Sequence, residues 1–131
     1  MNEYVEGKIL QFESMFTVFK NSLVSNATIT ERTAAIKNFE LTFELSWKAM
    51  KRLLEFREAE NLSSTTAVIK KAFSYGLISN ENDWLEIIGL RNKAVHAYGE
   101  VLAINVFENL HSTIKSFESC LFKMKSDMAL I

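Results

Sequence analysis

Apolar residues recur every three or four positions along most of the chain, which is the spacing of an amphipathic helix. The first apolar stripe comprises Val5, Ile9, Phe12, Phe16, Phe19 and Leu23. The second comprises Ile36, Phe39, Phe43, Trp47, Met50 and Leu54. Each stripe predicts a long helix that buries one face in a core.

Short polar stretches mark where the predicted helices begin and end. After the first stripe comes "SNATIT", in which Thr28 and Glu31 have the spacing of a capping box that opens the second helix. The next break, "ENLSS", offers Ser63 or Ser64 as the N-cap of a short third helix. Gly76 can end that helix. Its apolar positions are Val68, Ile69 and Phe73.

Two further helices follow. Ser79 or Asn80 can cap the fourth, and Gly99 can terminate it. Its apolar side is predicted to comprise Trp84, Ile87 or Ile88, and Val95. The last and longest apolar stripe predicts one long helix through Val101, Ile104, Phe107, Leu110, Ile114, Phe117, Leu121 and Met124.

The pattern predicts an all-α antiparallel bundle of about five helices, three long and two short, in one domain over residues 1–131. No stretch shows the alternation of a strand, and the chain has no proline and only four glycines to interrupt its helices. Ten phenylalanines and two tryptophans are many for such a bundle. They predict a core of large side chains, an oligomer interface, or both.

Charge and cysteine content restrict the functional classes. The formal net charge is -1, so any contact with nucleic acid must come from a local basic cluster. Cys120 is the only cysteine, which suits a reducing cytoplasm. We expect no signal peptide and no membrane span. Histidine and cysteine do not cluster at metal-ligand spacing, and His111 is expected at the surface, so we expect no metal or other cofactor.

The segment "LRNKAVHAYGE" concentrates reactive side chains at Arg91, Asn92, His96 and Tyr98. A guanidinium donates to phosphate oxygens, and an imidazole exchanges protons near neutral pH. An amide can orient either group by hydrogen bonding. Together they would suit cleavage of a phosphodiester without a metal ion, with the arginine stabilising charge on the phosphorus centre.

Local geometry leaves alternatives for this segment. In a regular helix Arg91 and His96 point about 140° apart, whereas Asn92 and His96 share a face. The pair could therefore meet only in a distorted last turn or across a two-fold axis between subunits. A purely structural role is also open, because cations and rings are common in a last turn. In that case Arg91 would pair with Glu86 or Glu100.

Three blocks of the chain resemble a known family. "RNKAVHAY" is similar to the R-x4-H-x-Y signature of the HEPN superfamily of all-α domains. "FELTFELSWKAMKRLLE" at 39–55 and "AFSYGLISNENDWLEIIGLRNKAVHAY" at 72–98 resemble blocks of the nucleotidyltransferase substrate-binding proteins, grouped with HepT-type toxins. The signature alone is weakly specific, but the blocks in this order and spacing, over roughly 36–110, are highly specific.

The resemblance implies a helical bundle that forms a homodimer, with two signature segments facing each other near the dimer axis. It implies a toxin that cleaves RNA without metal, with Arg91 and His96 catalytic and Asn92 positioning them. Its partner would be a minimal nucleotidyltransferase, the antitoxin, which uses ATP and magnesium to place AMP on Tyr98. A negatively charged nucleotide beside Arg91 would block a phosphate site. On a continuous helix Arg91 and Tyr98 would point within about 20° of each other.

Two classes of function remain open from the sequence. The intact set of four residues favours a ribonuclease, and the near-neutral charge favours a non-catalytic subunit that presents nucleotide or substrate to a nucleotidyltransferase. A purely structural dimer is a third reading.

Glu40 and Glu44 share a helix face that is either solvated or turned inward to hold Arg91. A basic surface for RNA could comprise Lys48, Lys51, Arg52, Lys70 and Lys71.

Overall fold

A computed structural model of the protein describes residues 2–131, and within that range the chain forms helices and no strands. The all-α prediction is confirmed. The helices are α1 (Glu3–Asn21), α2 (Ile29–Glu58), α3 (Thr65–Tyr75), α4 (Glu81–Val95), α5 (Glu100–Glu108), a 3-10 turn (His111–Thr113) and α6 (Ile114–Asp127).

Polar side chains fix the starts of α2, α3 and α4 as the sequence predicts. The Thr28 hydroxyl accepts from the Glu31 amide, and the Glu31 carboxylate accepts from the Thr28 amide, which is a complete capping box. Of the paired candidates, Ser64 caps α3 and Asn80 caps α4. Gly76 ends α3 with φ 98°, a left-handed conformation that favours glycine because it has no Cβ.

The longest helix, α2, organises the bundle. It packs against each of the other five α-helices and most extensively against α1, which runs beside it. At 1.5 Å per residue its 30 residues span about 45 Å, long enough to present different faces to different partners. Because α4 packs on this helix, side chains from distant parts of the sequence meet there.

The predicted stripes of α1 and α2 form the core. The phenylalanines of these stripes are essentially inaccessible to water, and all but Phe43 lie close to one ring of α6, Phe117. The ring centroids closest to Phe117 lie 5.5–6.2 Å away and belong to Phe12, Phe16, Phe19, Phe39 and Trp84. Tilted and edge-on rings at this separation are favourable beyond the burial of their area.

The last predicted helix is interrupted. The chain forms α5, then the 3-10 turn, then α6, where a single stripe predicts one long helix. Val101 was expected in the core but is 85% exposed, and Val95 and Phe73 are each 45% exposed. Leu110 and Phe117 are both buried, one before and one after this interruption, although residues seven apart would also share a face of a straight helix.

A polar brace joins the end of α6 to α2 and α3. Arg57 Nε donates to Asp127 Oδ2 at 2.8 Å, and the Tyr75 hydroxyl donates to Asp127 Oδ1 at 2.9 Å. Burial and the neighbouring Asp127 carboxylate raise the pKa of Tyr75.

None of the helices over residues 2–131 combines the length and apolar character that crossing a bilayer requires.

Candidate functional site

The signature segment spans the end of α4 and the connection to α5. The helix ends at Val95, and His96 is its C-cap, with φ -111° and ψ 19°. Gly99 does not end α4 but serves as the N-cap of α5. The expectation that Tyr98 points in the direction of Arg91 along a continuous helix is therefore wrong, because Tyr98 lies outside the helix.

Arg91 is held from α2. Its Nη1 donates to Glu44 Oε1 at 3.0 Å, and its guanidinium carbon lies 5.0 Å from the centre of the Phe43 ring. The side chain is 27% exposed, so the charge is largely enclosed but not removed from water. The suggested partners Glu86 and Glu100 do not pair with it, and Glu100 instead lies 3.5 Å from Arg32.

Of the two acidic candidates on α2, Glu44 contacts Arg91, whereas Glu40 forms no ion pair within residues 2–131. Sequence reasoning missed two neighbours of this contact, Phe43 beneath the guanidinium and Trp47, whose Nε1 donates to Glu44 Oε2 at 3.3 Å. The sequence does place Phe43 next to Glu44 and Trp47 three residues after it. Residues three apart on a helix are neighbours, so this spacing could have indicated the contact with Trp47.

His96 and Tyr98 lie together at the surface. Their ring centroids are 6.3 Å apart in an edge-on arrangement, and Tyr98 is 87% exposed. Asn92 is also exposed, and in the described chain its side chain makes no hydrogen bond that would tie it to His96. One copy of the chain thus brings His96 and Tyr98 into contact, while Arg91 is fixed separately against α2.

A groove of about 650 Å³ lies beside α4, but neither Arg91 nor His96 lines it. Its walls come from α4 on one side and from α5, the 3-10 turn and α6 on the other, with Lys93 as the lining residue nearest to His96 in sequence. Asn92, His96 and Tyr98 are instead exposed to solvent, and Arg91 packs against α2. A substrate bound between Arg91 and His96 would need further walls, which a second copy of the chain can provide.

Exposed apolar side chains occur on α4 and at the start of α5, the two helices that flank residues 96–99. Leu85 and Val95 project from α4, and Val101 and Leu102 project from the first turn of α5. Apolar groups gathered around polar ones at a surface are typical of protein interfaces. The arrangement fits a site that is completed by another protein surface.

Three of the five cations proposed as a basic surface lie within 4.0 Å of a carboxylate oxygen. Lys71 Nζ lies 3.0 Å from Glu60 Oε2, and Arg52 Nη1 lies 3.4 Å from Glu55 Oε1. Lys48 is farther from its acidic neighbour, at 3.9 Å.

In the part of the chain that the structure describes, no three His, Cys, Asp or Glu side chains converge to hold a metal ion.

Comparison with known proteins agrees with this fold. Residues 5–126 match the profile of a family described as nucleotidyltransferase substrate binding protein like. A probable ribonuclease HepT of Haemophilus influenzae is 32% identical over 81 residues, which cover 58% of this chain and 55% of that protein. The chain thus matches about half the length of this relative.

Two solved structures extend the likeness over nearly the whole chain. A protein from Thermus thermophilus is 30% identical, with a TM-score of 0.80 over 87% of this chain and 98% of that one. A tri-AMPylated HEPN toxin of Shewanella oneidensis, solved in complex with its MNT antitoxin, has a TM-score of 0.77 at 18% identity. That match covers 96% of this chain and 99% of the toxin chain and concerns the fold. The chain therefore belongs to the nucleotidyltransferase substrate-binding protein family, and its fold is the helical bundle of HepT-like HEPN toxins.

Proposed function

We propose that the protein is the toxin of a two-gene module, a metal-independent endoribonuclease whose partner is a minimal nucleotidyltransferase. The observation that carries the proposal is the exposed contact between His96 and Tyr98 at the end of the helix that positions Arg91. The names of the Haemophilus and Shewanella relatives, a ribonuclease and a toxin bound to its antitoxin, support the same reading.

In the proposed reaction the 2'-hydroxyl of the RNA attacks the adjacent phosphorus. His96 takes the proton of that hydroxyl as the new oxygen–phosphorus bond forms. The bond to the 5'-oxygen breaks, and His96 returns the proton to that leaving oxygen. Arg91 stabilises the charge that builds on the non-bridging oxygens, and Asn92 orients the phosphate or the imidazole.

We propose that the site forms between two copies, with Arg91 from one and His96 from the other. The different surroundings of the two side chains in one copy and the exposed apolar residues on α4 and α5 support this arrangement. A two-fold axis would give two equivalent sites.

The partner would silence the enzyme at Tyr98. The tyrosine oxygen attacks the α-phosphorus of ATP, the bond to the β-phosphate breaks, pyrophosphate leaves, and the phenolic proton passes to water. Exposure of Tyr98 makes it accessible to a second protein. The attached AMP would then place bulk and negative charge beside His96 and within the field of Arg91.

Cleavage is tested with purified protein, RNA and EDTA. We expect cleavage by the wild type and none by His96→Ala at unchanged helicity and oligomeric state. Equal RNA integrity with both proteins would contradict the nuclease. It would favour the second candidate, a non-catalytic partner subunit, which is suggested by an Arg91 that already has a carboxylate partner.

Mixing two inactive variants tests the shared site. In a dimer of Arg91→Ala with His96→Ala, one of the two sites keeps both residues if each site draws on two copies. Because half of randomly mixed dimers are of this kind, we expect about a quarter of wild-type activity. No recovery after subunit exchange would place both residues of a site in one copy.

Modification is tested by mass spectrometry with the cognate nucleotidyltransferase, ATP and magnesium. We expect wild-type protein to gain the mass of AMP on Tyr98 and to lose RNA cleavage in proportion. Tyr98→Phe should gain no such mass and should stay active in the presence of the partner. The same mass gain in Tyr98→Phe would show that the acceptor is another residue.

A further inference from the structure

The orientation of Arg91 is set by a short chain of contacts on α2. Its guanidinium lies over the fully buried Phe43 ring, and Glu44 holds one end of it through Nη1. Since Phe43 cannot move without disturbing the core, the ring supplies a fixed platform and the carboxylate fixes the rotation of the guanidinium upon it.

Glu44 is itself fixed by a second residue. Its Oε1 accepts from Arg91, whereas its Oε2 accepts from Trp47 Nε1 at 3.3 Å and lies 3.9 Å from Lys48 Nζ. The two oxygens therefore have different partners. Rotation of the carboxylate would break both hydrogen bonds, so the indole N–H restricts the angle at which Glu44 meets Arg91.

The ion pair does not cancel the positive charge of this cluster. One carboxylate, Glu44, lies between two cations, Arg91 and Lys48, so the three side chains carry a net charge of +1. Arg91 Nε is buried without an acceptor, and Nη2 donates to no acceptor among residues 2–131. Nη2 is therefore the donor that Arg91 can offer to an added oxyanion.

We propose that Glu44 and Trp47 are positioning residues for RNA cleavage. Trp47 orients Glu44, and Glu44 holds Arg91 on the Phe43 ring with Nη2 directed toward the scissile phosphate. The proposal rests on the proposed function, because Arg91 needs this orientation only if it binds phosphate. It adds Trp47 and assigns the two oxygens of Glu44 to separate tasks.

Two conservative substitutions separate positioning from mere stability. Trp47→Phe keeps an aromatic ring but removes the N–H, and we expect kcat to fall about ten-fold with little change in KM. Glu44→Gln keeps one acceptor oxygen, but its amide cannot accept from Arg91 and Trp47 with both atoms. We expect an intermediate loss for Glu44→Gln and a loss of about 100-fold for Glu44→Ala.

Chemical rescue tests the same chain of contacts directly. In Arg91→Ala, free guanidinium at low millimolar concentration should occupy the place of the missing side chain between Phe43 and Glu44. We expect it to restore part of the cleavage, and an equal concentration of potassium to restore none. In Arg91→Ala/Glu44→Ala guanidinium should restore nothing, because the carboxylate that would hold it is gone.

A binding measurement keeps this inference separate from the nuclease itself. Trp47 lies beside the proposed guanidinium site, so its fluorescence in Arg91→Ala should change with added guanidinium, and the change should disappear when Glu44 is also removed. Guanidinium binding that is independent of Glu44, or wild-type kcat in both Trp47→Phe and Glu44→Gln, would overturn the positioning role. If wild-type protein cleaves no RNA, the proposed function fails, while the fluorescence result still decides whether Glu44 holds a guanidinium.

Discussion

The core around Phe117 and the surface segment from Val95 to Leu102 place apolar side chains in opposite environments. Around Phe117, aromatic rings from α1, α2 and α4 are buried in mutual contact. In the surface segment, Val95, Val101 and Leu102 remain exposed beside His96 and Tyr98. Burial of apolar area around Phe117 stabilises the fold of a single chain. The surface segment leaves its apolar area available for association with another molecule.

This difference implies that stability and the proposed activity depend on different residues. Substitutions in the core should unfold the protein and reduce every activity together. Substitutions in the exposed segment should leave the fold intact and affect only cleavage, modification or association. Arg91 lies between the two regions because its guanidinium rests on a core ring while its side chain stays partly exposed.

The largest effect is expected in the core. Phe117→Ala removes the ring that contacts aromatic side chains of three other helices, and the free energy of unfolding should fall by about 3–5 kcal/mol. Urea denaturation followed by circular dichroism measures it. Phe122→Ala, on the same helix but 61% exposed, is the matched control and should change stability by about 0.5 kcal/mol or less. Equal losses for both would contradict the assignment of the core.

A smaller effect concerns pH and Cys120. Burial raises the pKa of this thiol far above its usual range, so it stays protonated in the folded protein. The unfolded thiol ionises near pH 8.5. The unfolded state therefore loses a proton that the folded state keeps, and stability falls as pH rises through and above that value.

We expect Cys120 to contribute a loss of about 1–2 kcal/mol between pH 8 and pH 10. Denaturation curves at several pH values, compared between wild type and Cys120→Ala, measure this difference in slope and cancel the other titrating groups. Parallel curves would indicate that the thiol ionises equally in both states. A thiol reagent at pH 8 should also label native protein far more slowly than unfolded protein.

Arg91→Ala should have an intermediate effect on stability. It removes a partly exposed ion pair and the contact with Phe43, which together are worth about 1 kcal/mol. Thermal denaturation measures this loss. The control is Lys93→Ala, which removes an exposed cation from the same helix. A loss as large as that of Phe117→Ala would make Arg91 a core residue and weaken its proposed catalytic role.

The smallest effect on stability is expected at the exposed residues. His96→Ala and Val101→Ser should each change the free energy of unfolding by about 0.5 kcal/mol or less. Their effects should appear elsewhere, as lost RNA cleavage for His96→Ala and as weaker self-association for Val101→Ser. Chemical denaturation measures the stability of both variants, and sedimentation velocity measures their self-association. A destabilised fold in either variant, or unchanged association of Val101→Ser, would contradict the separation between core and surface segment.

The elements that the sequence predicts well are those governed by neighbours in the chain. The stripe of α1 alternates by three and four residues, and the capping box of α2 needs only Thr28 and Glu31. The break near His111 was missed because neither glycine nor proline marks it. The two helices on either side of it pack mainly on different neighbours, α5 on α2 and α6 on α1, and such long-range packing is not encoded in local spacing.

At the candidate site, too, sequence reasoning succeeds for local features and fails for contacts made by helix packing. The residue types from Arg91 to Tyr98 indicate phosphate chemistry without any structure. Local spacing suggested Glu86 or Glu100 as the partner of Arg91, whereas the partner is Glu44, 47 positions away on α2 and one of two acidic residues that the sequence analysis left open. A contact of that separation is created by helix packing, so its distance and its Trp47 support could be described only from the fold.

The connection between α4 and α5 has a consequence for inhibition. It spans only residues 96–99, so a helix anchors Tyr98 on either side. Under the proposed mechanism, a nucleotide bonded to this tyrosine would be tethered beside His96 at an effective concentration in the millimolar range. Such an inhibitor needs no affinity of its own for the site, and free AMP would therefore be a poor substitute for the covalent group.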